Sequence, residues 1–363
     1  MKKYPFRKQL LTALFCCLIP AASVLAAPLV IAQQGIFSAG GTVLTSPGTF
    51  RPEDQWERSG AGQTAHVDHA NVLYQIPQKK AGAPLVFLHG YGQSRMGWMT
   101  TPDGREGWSD YFLRRGHAVF LIDEPHRGEA GSTSIPGTIS SRTLEQRWYT
   151  QFRIGRWENG RSVPYRGSQF PNDAASLDQF FRQMTPDTGM KSDMGADFAL
   201  DIVAKATAAV MDKTYQRTGR DGFLLTHSQG GIPGWEAARY TDHLAGIVAI
   251  EPGHAPEAGS EAYKALLRKK IPVIIYFGDY IDNGDPAIPA TQSWKNMRQS
   301  SRDFARAYTK DGGSAEVVDL PAIGIHGNDH FLFQDKNSDE IAGLAEKWLV
   351  RNTKSRIPSR IRK

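Results

Sequence analysis

The sequence predicts an α/β fold: a mostly parallel central sheet with helices on both faces and an inserted cap. Three observations lead there. Short apolar runs alternate with helix-compatible segments along most of the chain. The runs are continuous rather than alternating, as in strands covered on both faces. Polar residues able to do chemistry (Asp123, Ser228, Glu251, Asp279 and His330) fall at or just past the ends of such runs, where ligands bind in sheets of this kind.

Taken in order, residues 30–44 and 65–76 read as strands separated by a Gly/Pro-punctuated stretch, and 84–88 as a short buried-type strand ending in the glycine turn His89-Gly90-Tyr91-Gly92. Residues 107–115 form a helix, and 118–122 a strand that ends at Asp123. Residues 195–213 carry alanines and apolar residues at helical spacing. The run Phe223-Leu224-Leu225 is the next strand, followed by helix-compatible 235–239. Strands follow at 246–250, 272–277 and 315–320, and helices at 261–269, 294–308 and 338–350. Residues 131–193 break the alternation: they are rich in Gly, Pro and aromatics, among them Trp148, Tyr149, Phe152, Trp157, Phe170 and Phe180. A structureless loop of that length is improbable in a compact domain, so the segment is expected to form a cap over the strand ends. Its aromatics should hold it to the body, with two or three facing a pocket.

The N-terminus has the layout of a secretory signal peptide: basic Lys2, Lys3, Arg7 and Lys8, an apolar stretch over 10–19, and the small-x-small pattern Val24-Leu25-Ala26. An uncleaved anchor is the alternative, but the apolar stretch is short for a membrane span. The expected organisation is a signal peptide over 1–26, one catalytic domain over 27–350 and a basic tail over 351–363, with the mature chain secreted or periplasmic and not inserted in a membrane. Cys16 and Cys17 both lie in the leader, so the mature chain should have no disulfide, thiol nucleophile or thiolate metal site. The formal charge of +6 comes from the two ends, and the body between them sums to −4. That is not a nucleic-acid-binding footprint, and the tail reads as a solvated terminus. About 337 residues remain after cleavage, ample for one large core. No His-Glu-x-x-His is present, and no Gly-x-Gly-x-x-Gly follows a strand, so neither a metal nor a dinucleotide cofactor is expected.

The most informative stretch is Thr226-His227-Ser228-Gln229-Gly230-Gly231, between an apolar run and a helix. Strand, sharp turn and helix would hold the Ser228 hydroxyl out of the sheet, where a histidine can deprotonate it. The usual pattern is Gly-x-Ser-x-Gly, and here Thr226 replaces the first glycine. The general base should follow the last strand and precede the last helix. His326 and His330 both qualify; His330 is favoured because it lies nearer the last helix, so that a tight loop could hold it over Ser228. His227 reads as a packing residue and His89 as a shaper of its glycine turn. Glu251 and Asp279 end the two strands after the serine, and either gives the chain order Ser, acid, His. The oxyanion donors should be the backbone N–H groups of Gln229 and of Tyr91.

The glycine turn at 89–92, Asp123 with Arg127-Gly128, the serine turn and Gly327-Asn328-Asp329-His330 together resemble the α/β-hydrolase superfamily, over nearly the whole mature chain. The segment Thr101-Pro102-Asp103-Gly104-Arg105-Glu106-Gly107-Trp108 and the closing Gly-Asn-x-His resemble a group of secreted bacterial esterases with a Ser–Glu–His triad. That resemblance implies Glu251 as the acid, with Asp279 as runner-up, and His330 as the base. It implies a small-molecule ester as substrate; the same triad acting on lactones or amides, or as an acyltransferase, is the alternative. A catalytically silent hydrolase fold used as a binding module is a third reading.

Overall fold

The computed structural model describes residues 27–54, 60–135, 144–186 and 200–355. The predicted signal peptide and the end of the basic tail lie outside these residues. The strands are β1 (Ile31–Thr45), β2 (Thr64–Pro77), β3 (Leu85–Leu88), β4 (Val119–Asp123), β5 (Gly155–Glu158), β6 (Arg161–Pro164), β7 (Gly222–His227), β8 (Leu244–Ile250), β9 (Val273–Phe277) and β10 (Ala315–Asp319). The helices are α1 (Met96–Met99), α2 (Trp108–Arg114), α3 (Glu145–Gln151), α4 (Ala174–Arg182), α5 (Leu200–Thr218), α6 (Gly231–Ala237), α7 (Glu261–Arg268), α8 (Pro289–Lys310) and α9 (Ser338–Ser355).

Eight strands form one sheet in the order β1-β2-β4-β3-β7-β8-β9-β10. From β4 to β10 every neighbouring pair is parallel. Every residue of β3, β4, β7, β8 and β9 is buried, which accounts for their unbroken apolar runs. The chain leaves β3 for β4 on one side and returns to β7 on the other. The loops after β3 and β7 therefore diverge at the switch point where such sheets bind ligands.

The antiparallel start falls within the mostly parallel sheet expected, while the burial of β1 and two helix bounds need correction. β1 and β2 pair antiparallel, and β2 pairs antiparallel with β4. β1 is an edge strand with most of its residues exposed, Ile36 and Val43 among them. α8 begins at Pro289 rather than at residue 294; a proline near the helix start loses no hydrogen bond and its fixed φ suits the first turn. Finally, α9 runs to Ser355, into the stretch expected to be tail.

The cap segment holds α3, the two-stranded β5–β6 hairpin and α4. Trp148, Tyr149, Phe170 and Phe180 are buried. Phe180 meets Phe331 at 4.9 Å between ring centroids, and Trp148 stacks on Tyr91 at 5.7 Å. The cap is thus joined to the body by apolar contacts at the carboxyl ends of the strands. Among the described residues no helix is long and apolar enough to cross a membrane.

Candidate active site

Ser228 follows β7 directly and takes a left-handed φ of 53°. A non-glycine residue there costs on the order of 1–3 kcal/mol and survives only when its surroundings enforce it. A short 3-10 turn over Ser228–Gly230 leads into α6, and the Ser228 carbonyl accepts from the Gly253 N–H at 3.0 Å. Gly90 abuts the serine: a Cβ on Gly90 would lie 2.8 Å from Ser228 Cβ. The Thr226 departure also has a physical explanation. A Cβ on Gly234, in α6, would stand 2.7 Å from Thr226 Cγ2. The room usually left by a glycine on the strand is here left by one on the facing helix.

His330 lies in the loop between β10 and α9, with 1% of its surface exposed. Its ring is stacked on Phe152 at 4.9 Å and 12°, and packs against Trp294 at 4.3 Å. Its Nδ1 lies 2.7 Å from Glu251 Oε2. Its Nε2 is buried with no hydrogen-bond partner among the described residues. With Nδ1–H donating to the carboxylate, Nε2 is left unprotonated as an acceptor. Burial is the main influence that lowers the His330 pKa; Glu251 opposes it and Arg153 reinforces it. His227 does more than pack. Its ring sits 4.4 Å from that of His330, and its Nε2 lies 3.0 Å from the His330 carbonyl oxygen. Burial, reinforced by His330, pushes its pKa well down, and because a backbone carbonyl can only accept, Nε2 carries the proton and donates to it. The residue beside the serine thus fastens the loop that carries His330.

Glu251 follows β8 with a left-handed φ of 42° and no exposed surface. Besides His330 Nδ1–H it accepts from the Gly278 N–H at 2.7 Å and from Arg153 Nη2 at 2.5 and 2.7 Å. Burial alone would raise its pKa, but Arg153 and His330 outweigh it and hold the carboxyl down at about 2. Asp279 is placed differently. Its carboxylate accepts from the Gly327 N–H at 3.0 Å and the Tyr280 N–H at 2.7 Å and lies 3.4 Å from His326 Nδ1. The structure therefore brings Glu251, and not Asp279, to His330, while His326 is exposed on the loop.

The glycine turn after β3 is braced from behind. The Gly90 carbonyl accepts from His89 Nδ1–H at 2.9 Å and from Arg127 Nη1 at 3.4 Å. His89 Nε2 accepts from the Glu124 N–H at 3.2 Å, which fixes the Nδ1–H tautomer, and burial lowers the His89 pKa to about 4. Arg127 also donates to Glu124 and to the Gln229 side chain, each at 2.6 Å. No peptide here is cis, so the Tyr91 N–H, on the same peptide as the Gly90 carbonyl, points away from His89 and Arg127.

Ser228 lines a cavity of about 430 Å³ with Tyr91, Phe152, Trp294, Ile288 and Met297, and with Arg147 on its wall. Of the cap aromatics singled out in the sequence, Phe152 alone lines it. Polar side chains of α3 and the start of α8 supply much of the rest, and sequence reading missed that start; Pro289 was the available signal. Arg153 was also missed, since nothing in the order of residues places it against Glu251. Among the described residues no group of three or more His, Cys, Asp or Glu side chains could hold a metal ion.

No family model matches the chain. A structure described as that of a novel bacterial esterase superposes with a TM-score of 0.74 at 30% sequence identity, over 91% of this chain and 98% of that one. The chain belongs to the α/β-hydrolase superfamily. A probable secreted lipase of Fungal sp. (strain ATCC 74256) is 28% identical to this hydrolase over 313 residues, 73% of the hydrolase and 81% of the lipase.

Proposed function

We propose that this chain is an exported serine esterase that cleaves carboxylic esters through an acyl-enzyme on Ser228. One observation carries the reading. A serine in a strained turn at a strand end lines a cavity whose walls Phe152 and Trp294 pack against a buried histidine, and that histidine pairs with an ionised glutamate through one nitrogen and keeps the other unpartnered. The names of the esterase and lipase relatives support ester chemistry. The N-terminal leader pattern and the secreted lipase support export.

In this reading His330 Nε2 takes the Ser228 Oγ proton as Oγ attacks the ester carbonyl carbon. The Tyr91 and Gln229 N–H groups receive the developing oxyanion, the former from a peptide already polarised through its carbonyl. The tetrahedral intermediate collapses, the C–O bond to the alcohol breaks, and His330 returns the proton to the departing oxygen. Water then gives a proton to His330 and attacks the acyl-enzyme, which releases the acid and restores the serine. Glu251 holds the imidazole tautomer and stabilises the imidazolium in both halves. The largely apolar cavity suits an ester with one apolar group of moderate size.

Purified mature protein should hydrolyse p-nitrophenyl acyl esters, and a fluorophosphonate should label Ser228. S228A and H330A should each lose turnover by about 10³-fold or more with circular dichroism unchanged. Absence of both turnover and Ser228 labelling in the folded wild-type protein refutes the reading.

A further inference from the structure

Arg153 is a buried cation that the proposed reaction does not use. It follows α3 in the cap, yet its side chain reaches the acid–base pair and is 4% exposed. Nη2 meets both oxygens of Glu251, Nε donates to the Asp279 carbonyl at 3.0 Å, and the guanidinium lies 4.8 Å over the Trp294 ring. Its backbone is left-handed, with φ 63°, a strained state for a long side chain that the surrounding contacts must enforce. The residue before it is tied to the same place: the Phe152 carbonyl accepts from the His330 N–H at 3.2 Å while the Phe152 ring stacks on the imidazole.

We propose that Arg153 is a positioning residue of the hydrolytic site, fixing the Glu251 carboxylate against His330, offsetting its charge there, and making the cap part of the acid–base machinery. The inference rests on the serine-esterase reading above. A carboxylate beside a neutral imidazole forms a site of net charge −1, which favours protonation of the histidine. With Arg153 beside the carboxylate the resting site is neutral, and protonation of His330 gains less. The charged and titratable groups that bear on His330 are Glu251 from the end of β8, Arg153 from the cap and His227 from the end of β7, while Asp329 of the same loop bears on Glu251 and Arg153. Of these, Arg153 is a fixed cation, and it works against the imidazolium. Its removal therefore raises the His330 pKa and moves the acid limb of activity to higher pH.

The test is the pH profile of kcat/KM on p-nitrophenyl butyrate for wild type, R153M and R153K. R153M should move the acid limb up by about one pH unit and lower the plateau kcat by about 10- to 100-fold with KM within about threefold. R153K keeps the charge and loses the two-oxygen contact, so its limb should stay within about 0.3 unit of wild type while kcat falls. If near-UV circular dichroism shows R153M unfolded, R153Q, which can still donate to Glu251 without a charge, replaces it with the same expected shift. A limb that stays in place in the neutral variant, or that moves as far in R153K, overturns the inference. Fluorophosphonate labelling of wild-type Ser228 is read separately by mass spectrometry. If labelling fails, the serine reading falls; if it succeeds and the limb does not move, the role of Arg153 alone falls.

Discussion

Ser228, Glu251 and Arg153 each hold a left-handed backbone without being glycine. Strain gathers where side chains must be aimed, and here it aims a hydroxyl, a carboxylate and a guanidinium. The choice between the two sequence candidates for the acid is tested at this scale. Glu251→Gln keeps the shape but offers His330 a neutral amide, which stabilises neither the Nδ1–H tautomer nor the imidazolium; kcat should fall by about 10³- to 10⁴-fold. Asp279→Asn removes an acceptor for the Gly327 and Tyr280 N–H groups, so it should loosen the loop, costing about 1 kcal/mol of stability and less than about tenfold in kcat. Steady-state kinetics and thermal melts of both variants check this, and the reverse ranking would make Asp279 the acid. Ser228 and His330 were legible as candidates because one directly follows a strand and the other lies between the last strand and the last helix. Arg153 was not, because its place is set by how the cap folds back. Thr226 was legible only as an irregularity; its explanation, Gly234, lies in the next element.

The loop from β10 to α9 shows how one element is held by another distant in sequence. Residues 101–108 act as its brace. Arg105 Nη2 donates to the Asp335 and Gln334 carbonyls at 3.1 and 3.4 Å, and Trp108 Nε1 donates to the Ser338 carbonyl at 3.2 Å. Inside the loop Asn328 Nδ2 donates to Asp335 Oδ2 at 2.7 Å, while Asp335 Oδ1 is buried without a partner among the described residues. Burial pushes the Asp335 pKa up to about 7, and Glu251 adds to that against Asn328, the Asp329 N–H and Arg105. A carboxyl whose pKa is raised by folding is neutral in the native state at low pH, and it costs stability once pH climbs past its unfolded value toward its folded one. The penalty therefore grows between about pH 4 and pH 7 and persists above, at a size of order 2–4 kcal/mol. Asp335→Asn keeps an oxygen for Asn328 and removes the ionisation. Its melting temperature relative to wild type should be distinctly higher at pH 8 than at pH 5. Equal differences at the two pH values would mean that Asp335 ionises without cost.

At the scale of the whole molecule, the alternation of runs revealed the sheet and its functional edge, because continuous apolar strands have few other uses. It did not reveal the exposed β1 edge or the antiparallel start, since apolar content along β1 and β2 does not record which neighbour each strand has. The length and composition of residues 131–193 set them apart from the alternating body, but the way they dock was not legible. That docking is tight: Phe180 is fully buried among Trp148, Phe170 and Phe331, and Phe331 adjoins His330. A lid that opened freely would expose these rings, at a cost of about 25 cal/mol for each Å² of apolar surface. Cap and body should therefore unfold together. Phe180→Ala should destabilise the molecule by about 3–5 kcal/mol, and the fluorescence of cap residues Trp148 and Trp157, far-UV circular dichroism and esterase activity should all be lost in one transition. Fluorescence and activity that fell at a lower temperature than the dichroism would show a cap that melts on its own, and the acid–base pair would then depend on a part of the chain less stable than the sheet that carries it.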